Sequence, residues 1–361
     1  MTLATLPPAV RPHRRAGLAA LIAGAMAVCP ALASPAFSEP TTPVAGKAPA
    51  TLPVGSCVNL GNHLDMARGG EIPHNKLTKA DFVRIKAAGF DTVRLPVNWS
   101  SHSASTPPYT IDPTWLARVD EVVDAALGSG LKVILNSHNF DPVNDDPAAA
   151  APWLAGVWRQ LGDHYAKRPR DMLWFEIENE PNKALNNTNL VSTFTPALAA
   201  IRKHNPDRPV IIGGENWSSI DSLATLTLPD DPQVWPTFHY YEPFDFTHQG
   251  ASWASPPPPL GRVYGSAADA ARLPQDVAKI QAYIARTGKI PFMGETGAYE
   301  SVPTAQRITY YRTVFQTFRP IDVPICVWGY VNTFPFYDAV LNRWVPGMLG
   351  AIGLPEHKPA P

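Results

Sequence analysis

Short apolar runs rich in strand-forming residues alternate along this chain with longer stretches in which apolar residues recur near helical spacing. Such alternation is typical of repeated βα units, whose strands lie side by side in a parallel sheet. We predict eight strands, at Gly55–Gly61, Thr92–Asn98, Lys132–His138, Leu173–Asn179, Val210–Glu215, Thr237–Tyr241, Phe292–Glu295 and Ile325–Tyr330. Helical patterns fall between them at Lys76–Ala88, Trp115–Leu127, Trp153–Ala166, Val277–Arg286 and Ala305–Phe318.

Eight βα units predict an α/β fold of the (β/α)8 type, a TIM barrel whose strands are enclosed by an outer ring of helices. A chain of 361 residues has room for one such domain, which we place at residues 54–354 without a second domain. The long connection Phe244–Ala268 follows a strand and contains a proline run. We expect it on the face of the barrel where the strands end, which is the catalytic face of this fold.

The first 33 residues have the pattern of an export signal. Arginines precede the apolar run Ala16–Val28, and Ala31-Leu32-Ala33 offers a small-residue cleavage pattern. We therefore predict a signal peptide at 1–33, a flexible lead-in at 34–53 and an unstructured tail at 355–361. The mature protein is expected to be secreted or periplasmic, and Arg14-Arg15 leaves open whether export follows the general or the twin-arginine route.

The charge balance argues against highly charged partners. With 30 Lys+Arg and 31 Asp+Glu, the formal net charge of -1 gives no electrostatic basis for binding nucleic acid or an anionic membrane. We expect a monomer that binds a neutral ligand and needs no cofactor. The ten histidines are scattered and show no metal-ligand spacing, so no metal site is predicted.

Two cysteines remain after the predicted signal peptide, Cys57 and Cys326. They fall on the first and last predicted strands, which a closed barrel makes neighbours. We expect two buried thiols that lie close together. A disulfide is the less favoured alternative, because adjacent strands often present poor bridging geometry.

Polar and aromatic residues gather where six of the predicted strands end. They are Arg94, His138, Asn179, Glu180, His239, Tyr241, Glu295 and Trp328. A single buried Arg or His is usually a structural residue with satisfied hydrogen bonds. Six strands that end in the same way indicate a catalytic site, because the carboxyl ends of barrel strands converge on one face.

Two carboxyl groups are what the hydrolysis of a glycosidic bond requires. One protonates the leaving oxygen, and the other attacks or stabilises the anomeric carbon. Glu180 and Glu295 each end an apolar strand next to a turn former, a costly place for a carboxylate unless it is paired or functional. Glu176 and Glu178 are rivals at strand spacing from Glu180, and we expect both to be buried partners of Arg or His.

The ordered set of motifs resembles glycoside hydrolase family 5. It comprises Val58-Asn59-Leu60-Gly61-Asn62, Val93-Arg94-Leu95-Pro96, Asn179-Glu180-Pro181, His239-Tyr240-Tyr241, Gly294-Glu295-Thr296 and Val327-Trp328-Gly329. Members of that family are retaining barrel enzymes that carry catalytic glutamates on the fourth and seventh strands. The resemblance covers nearly the whole mature chain. Asn139 departs from the pattern, because the family often has a second His there.

The resemblance implies a role for each matching residue. Glu180 would be the acid/base and Glu295 the nucleophile, while Arg94 and Tyr241 would hold the nucleophile in place. We expect Arg94 to lower the pKa of Glu295 and keep it ionised. In the subsite that becomes covalently attached, Asn179 would bind the sugar 2-hydroxyl and Trp328 would form the platform, lined also by His138 and His239.

Further residues near strand ends are candidates for shaping the site. Trp99, Trp217, Trp253 and Trp344 could each be a sugar platform or a core residue, and we select Trp217 and Trp253 as candidates for binding sugar rings. Four acidic residues are expected to bind hydroxyls or to shape loops rather than to react: Asp65, Glu71, Glu215 and Glu242.

The leading functional hypothesis is a secreted, retaining endo-β-1,4-glucanase that acts on a β-linked polysaccharide. A β-mannanase, a xyloglucanase and a β-1,3-glucanase remain alternatives with the same catalytic residues. Two other classes are less favoured. Both glutamates are present, which argues against a non-catalytic carbohydrate-binding protein, and no Gly-x-Ser-x-Gly elbow supports an acyl-transfer hydrolase.

Overall fold

The computed structural model describes residues 50–68 and 76–356. The predicted signal peptide, Glu71, most of the lead-in and most of the tail lie outside these residues. The barrel is closed by eight parallel strands in sequence order, with the last strand beside the first. The strands are β1 Ser56–Asn59, β2 Thr92–Val97, β3 Lys132–Ser137, β4 Leu173–Glu176, β5 Val210–Gly213, β6 Val234–Tyr240, β7 Phe292–Thr296 and β8 Ile325–Val327. The predicted (β/α)8 fold is confirmed.

Helices surround this barrel, and every predicted helical stretch overlaps one of them. The helices are α1 Lys79–Ala87, α2 Pro113–Gly128, α3 Asp141–Asp145, α4 Pro147–His164, α5 Leu190–Arg202, α6 Glu215–Ser218, α7 Phe244–Thr247, α8 Ala267–Thr287, α9 Thr304–Phe318 and α10 Met348–Ala351. Short 3-10 turns lie at Ser100–His102, Ile220–Ala224 and Arg319–Ile321. Within the described part of the chain, no helix is long and apolar enough to cross a membrane.

Local sequence explains where the longer helices begin. Asp112 and Asp146 cap α2 and α4 by accepting hydrogen bonds from backbone N–H groups of the first turn, and a proline follows each of them. Ser266 and Asp269 form a capping box at the start of α8. The connection Phe244–Ala268 therefore contains α7 and the first residues of α8, and both α4 and α8 begin earlier than their apolar patterns predict.

The barrel interior is apolar at its floor and polar above it. The floor consists of buried side chains from six strands and the segment before β1, and its members are Leu52, Cys57, Ile134, Trp174, Ile211, Phe292 and Cys326. Two residues further along three of these strands lie Asn59, Asn136 and Glu176, all buried and polar. Because strand side chains alternate, this polar layer also faces inward, directly below the ends of the strands.

The expectation of two free thiols is wrong. Cys57 and Cys326 form a disulfide that joins β1 to β8 and so links the two strands that close the barrel. The two residues are direct partners in the strand register, both side chains point into the barrel, and their Cα atoms are 4.3 Å apart. The sequence indicates neighbouring strands but not this register, which decides whether two cysteines can bond.

Candidate active site

Arg94 on β2 is the centre of the polar network below the barrel mouth. Its side chain is fully buried, and all five of its N–H groups donate hydrogen bonds. Two go to Glu176 at 2.7 and 2.8 Å and one goes to Glu295 at 2.6 Å. The others reach Asn59 at 2.9 Å and Asn179 at 2.6 Å. One guanidinium therefore orients a carboxylate and two amides and neutralises a second carboxylate beneath them.

Glu295 on β7 is held from both sides. Oε1 accepts from Arg94, Oε2 accepts from the Tyr241 hydroxyl at 2.9 Å, and Nδ1 of His239 lies 3.6 Å away. Burial raises the pKa of Glu295, and His239, Arg94 and Tyr241 act in the opposite direction. Arg94 therefore lowers the pKa of Glu295 as expected, but burial has the larger effect and the pKa is raised overall.

The glycine before Glu295 allows two strands to approach closely. A Cβ on Gly294 would lie 2.7 Å from Oγ1 of Thr237 and 3.2 Å from Nε2 of His239, both on β6. The register between β6 and β7 shifts at this point, between Phe238 and His239. The shift makes His239 the strand partner of Glu295, so this glycine and the irregularity together place the two side chains beside one another.

Glu180 follows β4 and has a different environment. Nδ1 of His239 lies 2.7 Å from its Oε1, and its side chain keeps 27% of its exposure. Burial raises the pKa of Glu180 to about 7, an effect that Arg94 opposes and Glu176 increases. This carboxyl therefore keeps its proton to a higher pH than an ordinary glutamate does, as suits a general acid near neutral pH.

His239 lies between the two glutamates. Burial lowers its pKa to about 4, so the imidazole is neutral at neutral pH, and Nδ1–H can donate to Glu180. Single donor atoms of Glu180, His239 and Glu295 lie within 4.8 Å of one another, close enough in principle to surround a cation. Both glutamates are already engaged, and the guanidinium bonded to Glu295 would repel a cation, so we assign no metal to this cluster.

His138 and Trp328 form one wall of the site. Their rings are stacked with centroids 5.7 Å apart and an interplanar angle of 15°. Burial lowers the pKa of His138 well below its ordinary value, and Nδ1 lies 3.0 Å from the Asn136 amide oxygen. Gly61 makes room for the indole, because a Cβ there would lie 2.3 Å from the ring of Trp328.

The two glutamates and several of their neighbours line an open cleft of about 280 Å³. Its lining residues are Asn62, Asp65, His138, Asn179, Glu180, Tyr241, His248, Trp253, Glu295, Trp328, Thr333 and Phe334. Sequence reasoning did not single out Asn62, His248, Thr333 or Phe334 as site residues. His248 and Phe334 lie in loops after strands. The sequence indicated His248 only through its position in the Phe244–Ala268 connection, and it gave no signal for Phe334.

The four tryptophans proposed as possible sugar platforms differ in exposure. Trp253 is 53% exposed and contacts Tyr299 at the cleft. Trp217 is 58% exposed and outside the cleft lining, in a left-handed turn whose backbone N–H donates to the Pro181 carbonyl beside Glu180. Trp99 is fully buried, and Trp344 packs on Phe90, so both are core residues rather than platforms.

The remaining acidic candidates have other contacts. Glu176 pairs with Arg94 as expected, but Glu178 has neither an Arg nor a His partner among the described residues, so that part of the expectation is wrong. Asp65 accepts backbone hydrogen bonds at the cleft edge, where Asn139 donates to its carbonyl oxygen. Glu215 accepts from the backbone of the loop after β4, and Glu242 pairs with a surface arginine.

Comparison with known proteins gives consistent similarities. The model of the cellulase family, glycosyl hydrolase family 5, matches residues 62–333. Endoglucanase H of Acetivibrio thermocellus is 38% identical over 54% of this chain, and the match covers 22% of that much longer protein. Endoglucanase B of Clostridium cellulovorans is 28% identical over 79% of this chain and 70% of its own length.

Solved structures extend the similarity to the fold. The Cel5A structure of Thermotoga maritima in complex with cellobiose has a TM-score of 0.79 and 32% identity, and the match covers 83% of this chain and 97% of that one. A second structure of that protein, in complex with mannotriose, has a TM-score of 0.78 at the same identity and coverage.

Proposed function

Because the chain belongs to glycosyl hydrolase family 5, we propose that it is a secreted, retaining endo-β-1,4-glucanase that cleaves β-linked polysaccharide by double displacement. The observation that carries this proposal is the pair formed by Glu180 and Glu295. One oxygen of each lies within 4.8 Å of the other. Retaining glycosidases have carboxyls about 5 to 5.5 Å apart, whereas inverting enzymes need about 6.5 Å or more to admit a water molecule.

In the first step, Glu295 attacks the anomeric carbon while Glu180 donates its proton to the departing glycosidic oxygen. The surroundings favour these roles. Glu295 accepts hydrogen bonds from Arg94 and Tyr241, which orient it and favour its ionised form. Glu180 has a pKa raised to about 7 and a neutral histidine as its neighbour. The two carboxyls therefore differ in the protonation state that they prefer.

In the second step, Glu180 removes a proton from water, which attacks the anomeric carbon and releases Glu295. Formation of the glycosyl ester removes the negative charge of Glu295, so a nearby carboxylate becomes easier to ionise. The positive charge of Arg94 is then offset by one carboxylate fewer, so the net electrostatic potential at Glu180 favours its ionised form. The same network thus favours the acid form before the first step and the base form after it.

The substrate proposal follows from the cleft and from the relatives. Trp328 would form the platform for the sugar that becomes attached, and Asn179 would bind its 2-hydroxyl. The open cleft has exposed indoles nearby at Trp217 and Trp253, which suits a long neutral chain. Relatives of this chain are endoglucanases, and one structural neighbour was solved with mannotriose, so β-mannan is the second candidate.

Export is part of the proposal and rests on the pattern in residues 1–33, outside the described structure. Sequencing the N-terminus of the protein secreted by its native host should give a start near Ser34. An intact N-terminus on protein found only in the cytoplasm would contradict export while leaving the enzymatic proposal untouched.

The enzymatic proposal is tested by product stereochemistry on defined oligosaccharides. The purified protein should hydrolyse soluble β-1,4-glucan faster than mannan, xyloglucan or β-1,3-glucan, and proton NMR should show the β-anomer of the new reducing end first. Faster hydrolysis of mannan would change the substrate but not the mechanism. Initial release of the α-anomer would refute double displacement.

A further inference from the structure

Glu178 is a buried carboxyl group that the catalytic steps above do not use. Glu178 is 1% exposed, and none of the described Lys, Arg or His side chains lies within ion-pairing distance of its oxygens. Oε1 accepts a long hydrogen bond from the Asn144 amide at 3.4 Å, Oε2 has no hydrogen bond of ordinary geometry within the described residues, and the Phe140 backbone lies close enough to act on the carboxyl group. An ionised carboxylate in such a place would be very costly.

Asn144, in α3, joins the loop after β3 to the loop that follows the acid/base. Its side-chain oxygen accepts from the backbone N–H of Asn182 at 3.1 Å, and its carbonyl accepts from Ala184 at 3.0 Å. The side-chain amide of Asn182 in turn donates to the carbonyl oxygen of Glu180 at 2.6 Å. A continuous set of hydrogen bonds therefore runs from Glu178 through Asn144 to the backbone of Glu180.

We propose that Glu178 is a positioning residue, a neutral carboxylic acid that fixes the Asn144 amide and thereby the loop that carries the acid/base Glu180. The kinetic consequence rests on the proposed function, but the protonation state of Glu178 does not. Asn144 is 2% exposed, so bulk water cannot replace Glu178 as the acceptor for its amide group. Loss of this hydrogen bond would therefore leave a buried N–H group unsatisfied.

The charges around Glu178 favour the neutral form. Burial raises its pKa well above the ordinary value, and the Asn144 amide and the Phe140 backbone only partly oppose this effect. The charged groups that face it are Asp141, in the same helix as Asn144, and Glu176 at the end of β4, and both raise its pKa further. Arg94, the buried cation of the network, donates its N–H groups to Glu176 and other acceptors, and Glu178 is not one of them.

The first test measures stability and needs no activity. If the pKa of Glu178 is higher in the folded than in the unfolded protein, wild type loses stability as the pH rises from about 4.5, the unfolded pKa, to the folded pKa. Glu178→Gln, which imitates the neutral acid, removes this cost. Its melting temperature should match that of wild type at pH 4 and exceed it by at least about 2 °C at pH 8. Other groups titrate in both proteins and cancel in the difference.

If the melting temperature of Glu178→Gln, taken relative to wild type, is no higher at pH 8 than at pH 4, Glu178 is not neutral in the folded protein. This outcome would leave the proposed glycosidase function intact. Conversely, absence of any glycosidase activity would refute the proposed function without changing the pH-dependent stability difference. The two failures are therefore distinguishable.

The second test asks whether Glu178 acts through Glu180. Glu178→Leu cannot bond to Asn144, so kcat/KM on an unactivated cello-oligosaccharide should fall about tenfold or more, as expected for a misplaced acid. With a dinitrophenyl cellobioside, whose leaving group needs no protonation, kcat/KM should stay within about twofold of wild type. Glu178→Gln should retain both activities. Equal losses on both substrates would refute positioning of the acid.

Matched variants guard against misfolding. Asn144→Ala cuts the connection from the other side and should give the same selective loss, even if Glu178→Leu does not fold. Lys183→Ala is the control, because its exposed ion pair with Asp145 joins the same two loops at the surface, at 2.7 Å. It should leave both kcat/KM values unchanged, since exposed ion pairs contribute little. A selective loss in this control would contradict the buried route.

Discussion

Arg94→Met tests how strongly the buried network depends on one cation. The substitution removes five hydrogen bonds and leaves Glu176 and Glu295 in the barrel without a counter-charge. Removing one partner of a buried ion pair costs about 3 to 5 kcal/mol. We expect the free energy of unfolding to fall by about that amount, because the remaining carboxylates must take up protons or stay unpaired.

The assay is denaturant unfolding at pH 7, with Arg168→Met as the matched control. Arg168 makes a surface ion pair with Asp124 at 2.8 Å, and both side chains are 40% or more exposed. Its loss should cost less than about 1 kcal/mol. The double variant Arg94→Met/Glu176→Gln should be less destabilised than the sum of its single variants, because neutralising Glu176 removes one of the two uncompensated charges.

Activity should respond in a defined direction as well. Arg94 lowers the pKa of Glu295, so its loss raises that pKa, and the acid limb of kcat/KM should move to higher pH. An unfolding cost no greater than that of the Arg168 control would refute the importance of the buried cation. Strict additivity in the double variant would refute the coupling between Arg94 and Glu176.

The acid/base, the disulfide and the Trp328 indole can each be tested separately. Because burial raises the pKa of Glu180 to about 7, wild-type kcat/KM on cello-oligosaccharides should fall above about pH 7, whereas kcat/KM on a dinitrophenyl cellobioside should not. The same fall with both substrates would contradict the assignment of Glu180 as the acid. Replacing Cys57 and Cys326 by Ala opens a loop of 269 residues and should reduce stability in guanidinium unfolding by about 5 to 6 kcal/mol; a loss below about 1 kcal/mol would contradict a stabilising disulfide. Trp328→Ala should lower kcat/KM by about 1 to 3 kcal/mol of transition-state binding, with the fold retained in calorimetry, and unchanged kinetics of the folded variant would show that the indole is no platform.

The alternation of apolar patterns was enough to predict the barrel, because each strand of a parallel sheet is buried on both faces. The details depend on tertiary contacts. β4 ends at Glu176 although the pattern continues to Asn179, since the chain leaves the sheet to bring Glu180 to the cleft. Helix α5 was not predicted, because Thr193, Thr195 and Pro196 weaken its helical signal, and packing against α4 stabilises it instead.

The sequence indicated which residues lie at the candidate site better than it indicated the contacts between them. The end of a strand indicates which face a side chain reaches, so Arg94, Glu180 and Glu295 were expected at the barrel mouth, where the structure brings them together. It does not indicate which buried carboxyl meets the arginine, and so Glu178 was assigned a partner that it lacks. The exposure of a loop tryptophan depends on the path of the loop, which separates Trp253 from Trp99.

Covalent trapping of the glycosyl intermediate identifies the nucleophile. A 2-deoxy-2-fluoro-β-cellobiosyl fluoride reacts with retaining enzymes to form a slowly hydrolysed glycosyl ester. Mass spectrometry of a proteolytic digest should find this sugar on the peptide that contains Glu295, attached to that side chain, with Glu180 unmodified. Labelling of Glu180 or of any other carboxylate, in an enzyme that the reagent inactivates, would show that Glu295 is not the nucleophile.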